Sequence, residues 1–213
     1  PWLCRPFEWG ADLVVHSTTK FLSGQGNAMG GIVIDSGRFP WFGNAKYPSL
    51  SEPCPDYNGL TFAETFGDMA FTLYSHAVSL RDLGCTQSPM NAWITLNGVE
   101  TLPLRMERHV ENAQKVAGFL QQHPSVEWVS YAGLSSSPYY QLAQKYLQGK
   151  AGSVFTFGIR GGYESGLRLL EKVELFSHVS NIGDSRSLIL HPASTTHRQL
   201  SDEQRLTAGA GPE

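Results

Sequence analysis

An excess of either charge is what this sequence most plainly lacks. Sixteen lysines and arginines stand against nineteen aspartates and glutamates, a formal net charge of -3. No basic block or stripe interrupts the chain, so no nucleic-acid partner is expected. With 41% hydrophobic residues, disorder is not expected either. Long apolar runs are missing: nothing approaches the roughly 18 residues a membrane-spanning helix needs, so no membrane partner is expected. Cysteine is scarce. Cys4, Cys54 and Cys85 are odd in number and form no C-x-x-C pair. They read as free thiols in a reducing, cytoplasmic compartment, not as a disulfide frame or a zinc site. Pro1-Trp2-Leu3-Cys4-Arg5 lacks the charged start and apolar core of a signal peptide. Internal repeats and low-complexity tracts are absent. The chain opens on Pro1 and stops at Glu213 soon after a helix-like segment, so both are expected to be cuts in a longer protein. Its 213 residues suffice for one large or two small domains.

What is there begins with a β-branched run, Ala11 to His16, which reads as a buried strand. A Gly-rich polar stretch follows, then Ile32 to Asp35 as a second strand. Residues 37–61 hold prolines, glycines and aromatics without a period, a long irregular segment of the kind that covers something. Phe66, Met69, Ala70, Leu73 and Ala77 predict a helix over 63–83, stopped by Gly84. Ser88-Pro89 predicts another helix start. That helix should break around Asn97-Gly98 and Pro103, which sets the expected domain boundary, then run to about Gln122. Beyond it, strands over 126–131, 153–159, 178–182 and 187–190 alternate with helices over 139–147 and 163–173. Ser201-Asp202-Glu203-Gln204 is a capping box. This alternation suggests a small α/β or α+β domain.

The chemistry concentrates in His16-Ser17-Thr18-Thr19-Lys20-Phe21-Leu22-Ser23-Gly24-Gln25-Gly26, followed by Gly30-Gly31. A lysine directly after a buried strand is unusual, because desolvation works against the charged amine. Such an amine can form a Schiff base with a carbonyl. Ser17 and Thr19 fall on one side of an extended chain and can donate to phosphate oxygens. The glycines allow positive φ and close approach of a ligand. Together these suit a cofactor with both an aldehyde and a phosphate, pyridoxal 5'-phosphate. A solvated loop is the plain alternative on local composition. Gly24-Gln25-Gly26 lacks the third glycine of a dinucleotide fingerprint. Ser17-Thr18-Thr19-Lys20 matches S-x-x-K without the S-D-N and K-T-G that an acyl-transfer enzyme needs.

The stretch A-D-L-V-V-H-S-T-T-K-F-L-S-G-Q-G resembles the cofactor-lysine signature of the Cys/Met-metabolism family of pyridoxal-phosphate enzymes. Gly98 to Leu102 and Arg105 to His109 resemble the family's interdomain helix, and residues 176–198 resemble its C-terminal active-site segment. The insert around Trp41 to Thr61, Asn181-Ile182-Gly183-Asp184 and the entry at Pro138-Tyr139-Tyr140 with residues 152–158 are similar to its O-acetylhomoserine sulfhydrylase branch. The resemblance implies an α/β fold of type I, aspartate-aminotransferase-like. Residues 1–96 would end the large cofactor domain, and 97–213 would form a small C-terminal domain short of its last strand. It implies that Lys20 holds pyridoxal 5'-phosphate and moves protons, that Ser17 and Thr19 bind its phosphate, and that Asn181 helps hold the substrate carboxylate. The implied reaction is γ-replacement on O-acetylhomoserine by sulfide or methanethiol, giving homocysteine or methionine, in a homodimer or homotetramer.

The family's pyridine-pairing aspartate, stacking aromatic, Gly-rich phosphate loop and the tyrosine and arginine lent by a neighbouring subunit would lie before Pro1. The carboxylate-clamping arginine would lie beyond Glu213; Arg186 is expected to face solvent or a local carboxylate instead. The 213 residues alone should bind cofactor poorly and be inactive. The rival readings are a cystathionine γ-synthase or γ-lyase of the same family, and a non-catalytic truncated chain or assembly subunit. Elsewhere, His16 reads as packed or hydrogen-bonded, and the loop from His191 to His197 as structural, with no metal expected. The five tryptophans read as core or interface. Arg105, Glu107, Arg108 and Glu111 read as a solvated helix face with i,i+3 and i,i+4 pairs.

Overall fold

The β-branched runs pair with each other. β1 (Leu13–Ser17) and β2 (Gly31–Asp35) form an antiparallel ladder, Leu13 opposite Asp35 and Ser17 opposite Gly31, in the computed structural model, which describes residues 2–210. The strand was expected to be buried, but only Val14 is, and Val15 is 71% exposed. The ladder has two strands among the described residues, and successive side chains point to opposite faces of it. The chain divides into two compact units. One comprises Arg5–Thr18 and Met29–Trp93; the other comprises the residues up to Cys4, Thr19–Ala28 and everything from Ile94.

In the unit that contains β1 and β2, the irregular segment after β2 is held by its own aromatics. Phe39 and Trp41 lie 4.3 Å apart, and Trp41 stacks on Phe71 at 5.7 Å. Each such pair contributes roughly 0.5–1.5 kcal/mol beyond the area it buries. Trp41 is the one tryptophan in the core; Trp2, Trp9, Trp93 and Trp128 are exposed. Three short helices, α1 (Pro48–Ser51), α2 (Phe62–Phe66) and α3 (Ala70–Tyr74), place Leu50, Phe62, Ala63 and Ala70 in this core. The expected continuous helix over 63–83 is therefore interrupted. Gly67 takes φ 52° and ψ -123°, which ends α2 and turns Met69 out to solvent. A wide helical turn over Ser75–Asp82 continues α3, and Gly84 closes it at φ 73°, its amide donating to the Leu80 carbonyl at 3.0 Å.

α4 (Pro89–Glu100) starts as expected: the Asn91 amide donates to the Ser88 hydroxyl at 3.1 Å, and Pro89 occupies the first position. It runs unbroken through Asn97-Gly98. The interruption is Thr101 alone, after which α5 (Leu102–Gln122) carries Pro103 in its first turn, where a missing amide costs nothing.

In the other unit, α5 buries Met106, Ala113 and Ala117. Ala113 and Ala117 pack with Tyr131 and Leu134 beside β3 (Val126–Ser130), which pairs antiparallel with β4 (Thr156–Ile159). The Tyr131 hydroxyl donates to the Gly152 carbonyl at 2.9 Å. α6 (Tyr140–Tyr146) lies between the two strands in sequence, and α7 (Gly162–Lys172) follows them. The next two expected strands shrink to two residues each, β5 (Ser177–His178) parallel to β6 (Leu188–Ile189). The lost strand length is spent in a turn at Asn181–Asp184, where Gly183 adopts φ 78°. α8 (Asp202–Thr207) ends the described chain, and both hydrogen bonds of the Ser201/Gln204 capping box are present.

Candidate functional site

Lys20 follows β1 by three residues, in a wide helical turn over Thr18–Leu22 that it interrupts with φ -92° and ψ -125°. The hydroxyls before it alternate. Ser17 is exposed, Thr18 is 3% exposed with no hydrogen-bond partner for its Oγ1, and Thr19 is half-buried. Lys20 is not a solvated loop lysine. It is half-buried, and its Nζ donates to Asn181 Oδ1 at 2.8 Å across 161 residues of sequence.

Asn181 is itself oriented. Its side chain hydrogen-bonds the carboxylate of Asp184, which can only accept, so the amide nitrogen faces Asp184 and the oxygen is left for the lysine. Asp184 is anchored from the other side. Arg186 reaches it by Nη2 at 2.8 Å, by Nε at 3.1 Å and by its backbone amide at 2.9 Å. The Asp184 side chain is 1% exposed and that of Arg186 is 63% exposed. The Arg186 bonds hold the Asp184 carboxyl below its ordinary pKa against the opposing effect of burial. Arg186 thus meets a local carboxylate, as the sequence predicted. A polar chain runs from exposed guanidinium to buried carboxylate to amide to amine. Such a chain fixes an amine in place while leaving its hydrogen-bond partner neutral.

The glycines around the lysine do something other than expected. Gly24 and Gly26 have positive φ, 82° and 63°, but Gly30 and Gly31 do not. The space over three of them holds the protein's own atoms. A side chain on Gly24 would collide with the Arg105 guanidinium, one on Gly26 with the Asn181 amide nitrogen, and one on Gly30 with Thr18 Oγ1 and Gln87. They make room for the site's supporting residues.

The reading of α5 as a solvated face needs correction. Arg108 and Glu111 pair at 3.4 Å as i,i+3 neighbours, as expected. Glu107 instead accepts from Trp2 Nε1 at 3.2 Å and pairs with Lys150. Arg105 turns inward and donates to the carbonyls of Phe21 at 2.9 Å, Gly98 at 2.7 Å and Leu22 at 3.4 Å. Burial lowers its pKa. His109, one turn on, meets the Phe21 ring edge-on at 5.8 Å, and its Nε2 is buried without a partner. Burial first, then the Arg105 charge, pushes His109 below its ordinary pKa, and Asp184 opposes this. No charge pattern marks Arg105; the available signal is Gly98, seven residues earlier near the end of α4, whose carbonyl Arg105 bonds.

His16 is half-buried, packed, and without a partner at Nε2. His191 is buried and shares a hydrogen bond with Ser194 Oγ at 3.0 Å, in a loop closed by its own backbone carbonyl. Cys4, Cys54 and Cys85 are free thiols. Among the described residues, no group of three His, Cys, Asp or Glu could hold a metal, and no helix is long and apolar enough to cross a membrane.

The chain is similar to known proteins. The model of a family described as Cys/Met metabolism PLP-dependent enzyme matches residues 1–213. An O-acetyl-L-homoserine sulfhydrylase of Thermus thermophilus is 49% identical over 212 residues, covering 100% of this chain and 50% of the relative. A second, from Leptospira meyeri, is 51% identical, with 100% and 50% covered. A solved structure described as an O-acetylhomoserine (thiol)-lyase from Campylobacter jejuni is 41% identical. It superposes with a TM-score of 0.93 over 100% of this chain and 51% of its own, and contains a pyridoxyl-lysine phosphate. The chain spans about half the length of the curated relatives it matches.

Proposed function

The chain belongs to the Cys/Met metabolism family of pyridoxal-phosphate-dependent enzymes, with its α/β fold of type I, and on that premise we propose that it is the lysine-bearing part of an O-acetylhomoserine sulfhydrylase. The observation that carries this reading is the Lys20 amine, half-buried and hydrogen-bonded to a neutral amide. The donor set suits pyridoxal phosphate. A primary amine can bind its aldehyde, and the exposed hydroxyl of Ser17 and the hydroxyl of Thr19 belong to the same short segment and can donate to its phosphate. When bound, the cofactor supplies an electron sink for negative charge developing on the amino-acid substrate.

In this reading the chain's own residues bind, orient and move protons. Lys20 holds the cofactor through Nζ. Its amine, when free, would take a proton from one substrate carbon and return it to another. Asn181 presents Oδ1 to Lys20 and one amide hydrogen to Asp184, leaving a second hydrogen to donate to the substrate carboxylate. The net reaction exchanges acetate at the substrate's γ-carbon for sulfide or methanethiol, giving homocysteine or methionine. Residues 1–96 would close the large cofactor domain and 97–213 form the small one, in a cytoplasmic homodimer or homotetramer.

The test is a product analysis with the cofactor-loaded full-length enzyme of which this chain is proposed to be a part. O-acetylhomoserine and sulfide should yield homocysteine and acetate in equal amounts, and Lys20→Ala should abolish this turnover. Cystathionine formed preferentially from cysteine, 2-oxobutanoate formed by elimination, or no turnover by the wild-type protein would overturn the reading.

A further inference from the structure

Arg105 has an arginine's full charge and spends it on main-chain carbonyls. Its Nη1 and Nη2 bond Phe21 and Leu22, the two residues that follow Lys20, and Nη2 also bonds Gly98 near the end of α4. Its Nε donates to the Thr101 hydroxyl at 3.1 Å, the one residue between α4 and α5. Its planar fork of donors thus ties the peptide links just past the lysine to the helix junction, which a lysine's single ammonium could do only in part. Two glycines show that the approach is built into the chain. Gly24 leaves the space that the guanidinium fills, and Gly98 leaves the space that the carbonyls of Leu22 and Ser23 fill. The segment is gripped from other sides as well. The Ser185 amide donates to the Gly24 carbonyl at 2.8 Å, His109 meets the Phe21 ring, and Gly183 lies against the Phe21 backbone.

We propose that Arg105 is the positioning residue of Lys20: by bonding the Phe21 and Leu22 carbonyls it sets the direction from which the Lys20 amine meets the cofactor and the substrate carbons. This rests on the assignment of Lys20 above. The physical reason is that proton transfer requires near-contact geometry, and a misplacement of about 1 Å can cost on the order of a hundredfold in rate. Because Arg105 touches neither reacting atom, its removal should slow the chemistry while leaving substrate binding nearly intact.

The experiment compares Arg105→Met, which keeps the aliphatic stem and loses all donors, with Arg105→Lys in the cofactor-loaded full-length enzyme. Three quantities are read: kcat and KM separately, the dissociation constant for added pyridoxal phosphate, and the visible absorbance of the lysine-bound cofactor. For Arg105→Met, kcat should fall about 10- to 100-fold with KM within about threefold, the cofactor should bind about tenfold more weakly, and its band should weaken. Arg105→Lys should recover part of each. Wild-type kcat and a wild-type band in Arg105→Met would overturn the proposal. So would a loss of folded protein whose remaining folded fraction is fully active. A wild-type band that survives Lys20→Ala would instead overturn the assignment of Lys20. A band lost in Lys20→Ala but normal in Arg105→Met defeats the positioning role alone.

Discussion

Arg105 and Arg108 lie three residues apart on α5 and carry the same charge, but their surroundings are opposite. Arg108 has a 74% exposed side chain and pairs with Glu111, which also takes Lys115 at 2.6 Å. Arg105 is half-buried and meets carbonyl oxygens. The outward face makes exchangeable ion pairs that water and salt weaken. The inward face, Arg105 with His109, closes on the segment that follows Lys20. A helix can thus carry one charge pattern for two purposes. Which purpose a residue serves depends on what the opposing backbone leaves unsatisfied.

The sharpest way to break this contrast is to fill the space that the inward face needs. Gly98→Val should displace the Leu22–Ser23 backbone and lower stability by about 1–3 kcal/mol, read by denaturant unfolding. It should weaken cofactor binding in the same protein. Unchanged stability and binding would mean that the packing around Arg105 is soft.

A smaller effect should appear with pH. Burial and the Arg105 charge hold His109 below its ordinary value, with Asp184 opposing, so the folded state favours its neutral form. Its contribution is therefore fully present above the unfolded histidine value of about 6.5 and is lost as pH falls below it. The unfolding midpoint should drop between about pH 7 and 5, and His109→Gln should flatten that slope. An equally steep slope in the variant would place the pH sensitivity elsewhere, with His16, also lowered by burial, the first alternative.

The smallest effect belongs to the outward face. Arg108→Ala should change stability by no more than about 0.5 kcal/mol and leave kcat untouched. A change in kcat comparable to that of Arg105→Met would erase the distinction between the two faces.

Much of the local structure was legible from sequence because its cause is local. The β-branched runs of β1 and β2, the Ser88-Pro89 helix start and the Ser201 capping box all lie near where the residues predict them. The lysine segment stands out by residue type and Asn181 by the family resemblance, but their meeting across 161 residues is a property of the fold. What sequence could not show is how the glycines and charges are used. Gly24 and Gly26 look like ligand contacts until Arg105 and Asn181 are seen to fill their space. Arg105 looks solvated because its acceptors are backbone carbonyls, which leave no mark in a charge pattern. The strands β5 and β6 are shorter than expected, and a turn with Gly183 at positive φ lies between them.

The most direct test of the account is chemical. Borohydride reduction of the pyridoxal-phosphate-loaded full-length enzyme, followed by peptide mapping, should place one cofactor on Lys20, in the peptide that also contains Thr18 and Phe21. A reduced cofactor on another lysine, or none on the protein, would contradict it.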